Sequence, residues 1–243
     1  VIKGIYTSAS GMLPRIKKQE LTAHNISNVS TPGYKRDALF TKELTRAESR
    51  LAPKKSDWEE PMVNEDYTDY TPGIFDKTDN PLDLAIDGDG FFTLELPDGT
   101  RAFTRAGTFT VNQDGFLAFP GGPLLLGEGG PIEVGSGKVT ISQSGKVDVD
   151  GFESDRIVPM TVSDLSWLEK IGNSLFAVPE GSELIPVTKS TIRQGYLEAS
   201  NVDIVREMID MIISFRNYEA NARALQAQDQ SLENLFNRVG GQG

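Results

Sequence analysis

The chain contains no cysteine and a single histidine, His24, among 243 residues. Without thiols there is no disulfide framework, thiolate nucleophile or thiolate metal ligand. One histidine cannot build a multi-histidine metal site or pair with a cysteine for nucleophilic attack. Such a composition fits a protein that passes between redox compartments and leaves the compartment itself open. Positive charge is scarce too: 24 Lys and Arg against 35 Asp and Glu leave a net charge of −11. A field of that sign repels phosphate backbones and anionic headgroups, so no nucleic-acid partner is expected. Long apolar runs are missing. The stretch from Met208 to Phe215 is interrupted by Asp210 and Ser214, well short of the roughly 20 continuous apolar residues of a membrane span, so no direct membrane insertion is expected. Residues Val1 to Tyr6 likewise lack the unbroken apolar segment and small-residue cleavage site of a secretory signal peptide.

What the sequence does carry falls into three zones. From the N-terminus, Ile2, Ile5, Ala9, Met12, Ile16, Ala23 and Ile26 follow alternating steps of three and four, with Gln19 filling one slot. This is a heptad seam on a helix. Pro14 lies inside it and predicts a kink or the start of the continuous helix. The breakers in Asn28-Val29-Ser30-Thr31-Pro32-Gly33 predict its end. At the other terminus Ile204, Met208, Met211, Phe215, Tyr218, Ala222, Leu225, Leu232 and Phe236 keep the same spacing, with Asp229 the one discordant slot. Ser200 or Asn201 is the expected N-cap of one long helix that runs to Val239 and is closed by Gly240-Gly241.

Between these seams the pattern changes to short runs rich in Val, Ile, Thr and Phe, separated by turn signals. Phe91 to Leu96, the turn Pro97-Asp98-Gly99 and the return from Arg101 to Arg105 read as a hairpin. Further turns are expected at Asn112 to Gly115, Gly121-Gly122, Gly129-Gly130, Ser136-Gly137 and Ser144-Gly145. Short strands of this kind suit a small sandwich or irregular barrel better than a parallel sheet with crossover helices. The fold class is therefore α+β. Long N- and C-terminal helices form a coiled-coil-like assembly domain (residues 1–34 and 200–243), a polar stretch serves as a connecting arm (35–74), and a mostly antiparallel β domain covers 75–199. Two helical seams flanking a separate β domain find little core within their own monomer, so they call either for partners or for each other in an intramolecular hairpin.

No motif for catalysis, cofactor or metal stands out. Asp87-Gly88-Asp89-Gly90 lacks the further oxygen ligands and distal glutamate of a calcium loop and reads as a turn before a strand. The glycines from Gly121 to Gly137 lack the Gly-Lys-Ser/Thr ending of a phosphate loop, since Val139 follows Lys138. His24 is expected on a helix surface or interface. Asn25 and Asn28 are expected to satisfy backbone groups near the helix end. Two other classes stay open at this point: a carboxylate-based glycosidase acting on the cell wall, and a glycan-binding β module that stacks sugars on Trp58 or Trp167.

The residues Ile5-Tyr6-Thr7-Ser8-Ala9-Ser10-Gly11-Met12 and Thr22-Ala23-His24-Asn25-Ile26-Ser27-Asn28-Val29-Ser30-Thr31-Pro32-Gly33-Tyr34-Lys35-Arg36 resemble the N-terminal signature of bacterial flagellar rod and hook proteins. Asn80 to Phe92, Phe103 to Gly107 and Gly195 to Val202 are similar to later segments of the same family, in the same order. The least similar part lies around Lys42 to Asp69. Within the family, the length and the segment Gly127 to Val134 resemble the proximal-rod branch more than the distal-rod or hook branches. The resemblance implies a structural, non-enzymatic subunit without cofactors in the flagellar basal body. It implies export through the flagellar type III apparatus without a cleaved signal peptide. Assembly with copies of itself and neighbouring rod proteins would then give a tube crossing the periplasm, with the terminal helices innermost and the β domain outermost.

Overall fold

The computed structural model describes residues 2–41, 63–179 and 181–240. The middle of the expected arm, residues 42–62 with Trp58, lies outside the described residues. The chain divides into two compact units. One takes in the described parts of Val1–Ser27, Asp37–Asp69 and Asp203–Gly243; the other consists of Asn28–Arg36 and Tyr70–Val202.

The first unit is built on helices α1 (Ile2–Ser27) and α2 (Ile204–Gly240). Helix α1 runs through Pro14 and begins well before it, so the proline is an internal residue and not a starting point. The helix gives way at Asn28, whose carbonyl accepts from the Thr31 amide at 3.1 Å. The start of α2 differs from expectation. Asp203 is the cap: its carboxylate accepts from the amides of Val205 and Arg206 at 3.0 and 3.1 Å, and its carbonyl accepts from Glu207 N at 2.9 Å. An aspartate here satisfies orphan donors and places negative charge at the positive end of the helix dipole. Ser200 and Asn201 are engaged elsewhere, the hydroxyl of Ser200 accepting from Val202 N at 3.3 Å. A short antiparallel pair completes this unit, with Asp37–Thr41 against Val63–Thr68.

The second unit is made of short antiparallel strands. Its largest sheet has seven, in the order Glu169–Gly172, Leu175–Ala177, Arg101–Thr104, Phe92–Glu95, Leu124–Leu125, Leu117–Ala118 and Thr110–Val111. The expected hairpin lies at its centre, with Phe92 opposite Thr104 and Glu95 opposite Arg101. The Asp98 carboxylate shapes the turn by accepting from the amide and hydroxyl of Thr100 at 2.9 and 2.6 Å. A three-stranded sheet (Val139–Ile141, Lys146–Val149, Phe152–Arg156) and two-stranded pairings of Leu84–Asp87 with Thr191–Gln194 and of Phe75–Lys77 with Tyr196–Glu198 add to it. The core is apolar and closed to water. Leu84, Ile86, Phe92, Leu94, Leu125, Ile132 and Val147 are each at most 0–1% exposed, and burial of a side chain of this size stabilises by about 1.5–3 kcal/mol. A second cluster gathers Phe91, Phe103 and Phe176, where Phe91 and Phe176 meet edge-on with centroids 5.8 Å apart.

Candidate assembly surface

Polar side chains link helices α1 and α2. Asn25 donates to the Glu207 carboxylate at 3.4 Å, Lys18 to Asp210 at 3.2 Å, and the Ser214 hydroxyl to the Arg15 carbonyl at 3.0 Å. Contacts that climb one helix while descending the other define an antiparallel pair. Asn25, Glu207 and Ser214 are each 1% exposed, and Asn25 also binds the following strand, donating to Asp37 O at 2.8 Å and accepting from Asp37 N at 3.0 Å. Along α2 the buried Glu207 and Ser214 and the half-buried Asn221 and Gln228 stand seven apart. A polar side chain at each heptad fixes register and costs stability relative to an apolar one.

Several apolar side chains near the start of α2 are exposed. Val205 is 63% exposed, Met208 48%, Ile209 53%, Ile212 54%, Ile213 48% and Phe215 58%. Contiguous exposure of this kind exceeds what scattered surface hydrophobes account for. Of the residues expected on the C-terminal seam, Ile204, Met208 and Phe215 are exposed, while Met211, Tyr218, Ala222 and Leu225 are half-buried. On α1, Ile16 and Ala23 are exposed, and Met12 and Ile26 half-buried. The side chains of Ile2, Ile5, Leu232 and Phe236 lie outside the described residues. His24 is exposed, its Nδ1 3.9 Å from the Asp37 carboxylate.

At the base of the β unit the structure assembles a charged cluster that sequence patterning missed. The Glu198 carboxylate takes the Lys35 ammonium on one oxygen, with the Gly73 amide on the same atom at 3.0 Å, and the Arg105 guanidinium on the other at 3.3 Å. Lys35 also donates to Thr71 O at 2.8 Å, and Arg105 to Ile86 O and Gly88 O at 3.2 and 2.8 Å. Burial lowers the Arg105 pKa from its ordinary value, and the neighbouring Glu198 carboxylate partly offsets that. Backbones come close together here. Gly33, at φ +66°, donates to Glu198 O at 2.7 Å, and a Cβ on it would stand 2.2 Å from Ala106 N; only glycine satisfies both demands. Asn201 accepts from Arg36 N at 2.8 Å and donates to Thr71 O at 3.1 Å. The charged residues belong to the segments Tyr34-Lys35-Arg36, Phe103 to Gly107 and Gly195 to Val202, whose spacing along the chain gives no sign that they meet.

Among the described residues no group of three or more His, Asp or Glu is placed to hold a metal ion, and no helix is long and apolar enough to cross a membrane. The Asp87-to-Gly90 segment is a turn between strands, and its Asp87 carboxylate pairs with Arg193. Trp167 is 44% exposed in a single 3-10 turn.

Three family models match consecutive parts of the chain: "Flagella basal body rod protein" over residues 5–35, "Flagellar hook protein FlgE/F/G D1 domain" over 85–149, and "Flagellar basal body rod FlgEFG protein C-terminal" over 193–238. The chain is 32% identical to the flagellar basal-body rod protein FlgG of Borreliella burgdorferi, an alignment covering 96% of this chain and 97% of that protein. It is 30% identical to FlgG of Buchnera aphidicola subsp. Acyrthosiphon pisum over 97% of this chain and 99% of the other. The flagellar hook-basal body complex protein FlhO of Bacillus subtilis is 29% identical over 99% of each. The FlgG names place those relatives in the rod without dividing its proximal from its distal part. The chain belongs to the flagellar basal-body rod protein family.

Proposed function

We propose that this chain is a structural subunit of the flagellar basal-body rod, which polymerises through its terminal helices into a tubular axial drive shaft. The observation that carries the reading is the apolar run of α2 from Ile204 to Phe215, exposed on a helix that polar contacts also tie to α1. Neighbouring subunits would cover that face, and the residues of both heptad seams, from Ile2 to Ile26 and from Ile204 to Phe236, would lie at or beside the contacts. Residues 1–34 and 200–243 then act as the assembly domain, residues 35–74 brace neighbours, and residues 75–199 form the outer wall. The partners are other copies of this chain, adjoining rod proteins and the flagellar export apparatus. The chain works where the rod crosses the periplasm. Its work is mechanical and non-catalytic. Family membership and the apolar helix face support this reading, and no specific observation favours a glycosidase or a glycan-binding module.

Limited proteolysis of the purified monomer, with fragments identified by mass spectrometry, tests it. Early loss of both helical termini with survival of the β unit is the expected outcome. Uniform resistance of the whole chain would mean that the helices are already satisfied within the monomer.

A further inference from the structure

Three ionised groups at the base of the β unit are held away from water: the side chains of Lys35 and Glu198 are 0% exposed and that of Arg105 is 5%. Apolar side chains of similar volume are often as stabilising as such a cluster, because desolvation of the charges offsets their attraction. Stability is therefore a poor reason for it. Direction is a better one, since charge-assisted hydrogen bonds tolerate little sliding, whereas apolar contacts have no preferred angle.

The chain passes between its two units after residues 27, 36, 69 and 202, and groups beside the last three of these crossings are tied to one another. Glu198 holds Lys35 and the Gly73 amide, its own carbonyl accepts from Gly33, and Asn201 joins Arg36 to Thr71. Gly73 adds a close approach, since a Cβ there would stand 1.9 Å from Ala199 O.

We propose that Glu198 is a positioning residue. With Lys35 and Arg105 it fastens residues 33–36, 71–73 and 198–201 into one plate, which holds these three segments of the β unit in a fixed relation to one another. The plate lies wholly inside the β unit. Its consequence for the rod rests on the function proposed above, but its existence does not.

The test is amide hydrogen exchange on the full chain, comparing wild type with an apolar variant (Lys35→Met, Arg105→Met and Glu198→Leu together) and with Glu198→Gln. The apolar variant is expected to melt within about 5 °C of wild type. Its Gly33, Arg36 and Gly73 amides should exchange at least ~10-fold faster while the Phe103 amide of the central sheet stays within about threefold. Glu198→Gln, studied below its melting point, should show the same local pattern at a lower melting temperature. Acceleration by the same factor at the plate and in the central sheet would reduce the cluster to a stability element and overturn the proposal. So would unchanged exchange at the plate, or failure of both variants to fold. Swimming separates the two readings. Wild-type swimming of a Phe215→Asp strain would contradict assembly through α2, and the exchange pattern would still decide the plate.

Discussion

The two units bury apolar surface to different degrees. In the β unit, Phe92, Phe103, Leu94 and Ile86 are at most 1% exposed, and the charged Lys35, Arg105 and Glu198 are buried against one another. In the helical unit, the polar Glu207, Ser214, Asn25 and Thr22 are buried together with Leu21, while Val205, Ile209, Ile212 and Phe215 stand about half exposed or more. The β unit closes an apolar core and leaves only separate side chains such as Phe152 and Ile74 well exposed, whereas the helical unit buries several polar groups and leaves a run of apolar side chains on α2 exposed. Polar contacts that fix the register of a helix pair leave its exposed face presented in a defined way.

The comparison breaks if truncations in both units have the same effect. Phe92→Ala empties a closed core and should cost about 3–5 kcal/mol, lowering the calorimetric melting temperature by roughly 10 °C. Ile209→Ala with Ile212→Ala removes more than half-exposed side chains and should leave the monomer's stability within about 0.5 kcal/mol for each, while reducing incorporation into basal bodies. A large loss of monomer stability in the second variant would mean that this face is already covered within the chain. The polar interior of the helix pair sharpens the contrast. Glu207→Ala leaves Asn25 without one of its acceptors and should destabilise the pair by about 1–3 kcal/mol, read as an earlier loss of helical circular dichroism with the β transition unchanged. Asp203→Ala removes the cap of α2 and should cost about 1 kcal/mol on the same helical transition.

The smallest expected effect belongs to the hairpin turn of the β unit. The hydroxyl and then the amide of Thr100 hold the Asp98 carboxyl below its ordinary value of 3.8. A depressed carboxyl contributes stability that is complete above the unfolded value and is lost as pH falls through the lower folded value. Unfolding measured from pH 5 downward should therefore show a slight acid-side loss that Asp98→Asn removes. An unchanged acid limb in that variant would assign the effect to other groups.

Much of this was legible in the sequence. The heptads predicted both helices, and the turn signals around Pro97-Asp98-Gly99 placed the central hairpin, because these features depend on neighbours a few residues apart. The facing of each helix was not. Periodicity reveals that a stripe exists, and it cannot tell whether the covering surface comes from the same chain; Met208 and Phe215 are exposed while Met211 and Leu225, on the same stripe, are half-buried. The ladder of Glu207, Ser214, Asn221 and Gln228 was a readable signal that attention to apolar residues alone passes over. Asp203 displaced Ser200 and Asn201 as the cap because Asn201 is held by Arg36 and Thr71, a long-range demand invisible to local propensity. The union of Lys35, Arg105 and Glu198 was hidden for the same reason, the outer two lying 163 positions apart.

The division of labour between the units is tested most directly by Phe215→Asp, introduced in place of the wild-type chain and followed in purified basal bodies by quantitative mass spectrometry. A charge at a site that neighbours cover would be buried unpaired, so the variant should be absent from the rod while the soluble chain melts at the wild-type temperature. Recovery of the variant in basal bodies at the wild-type amount would contradict the account.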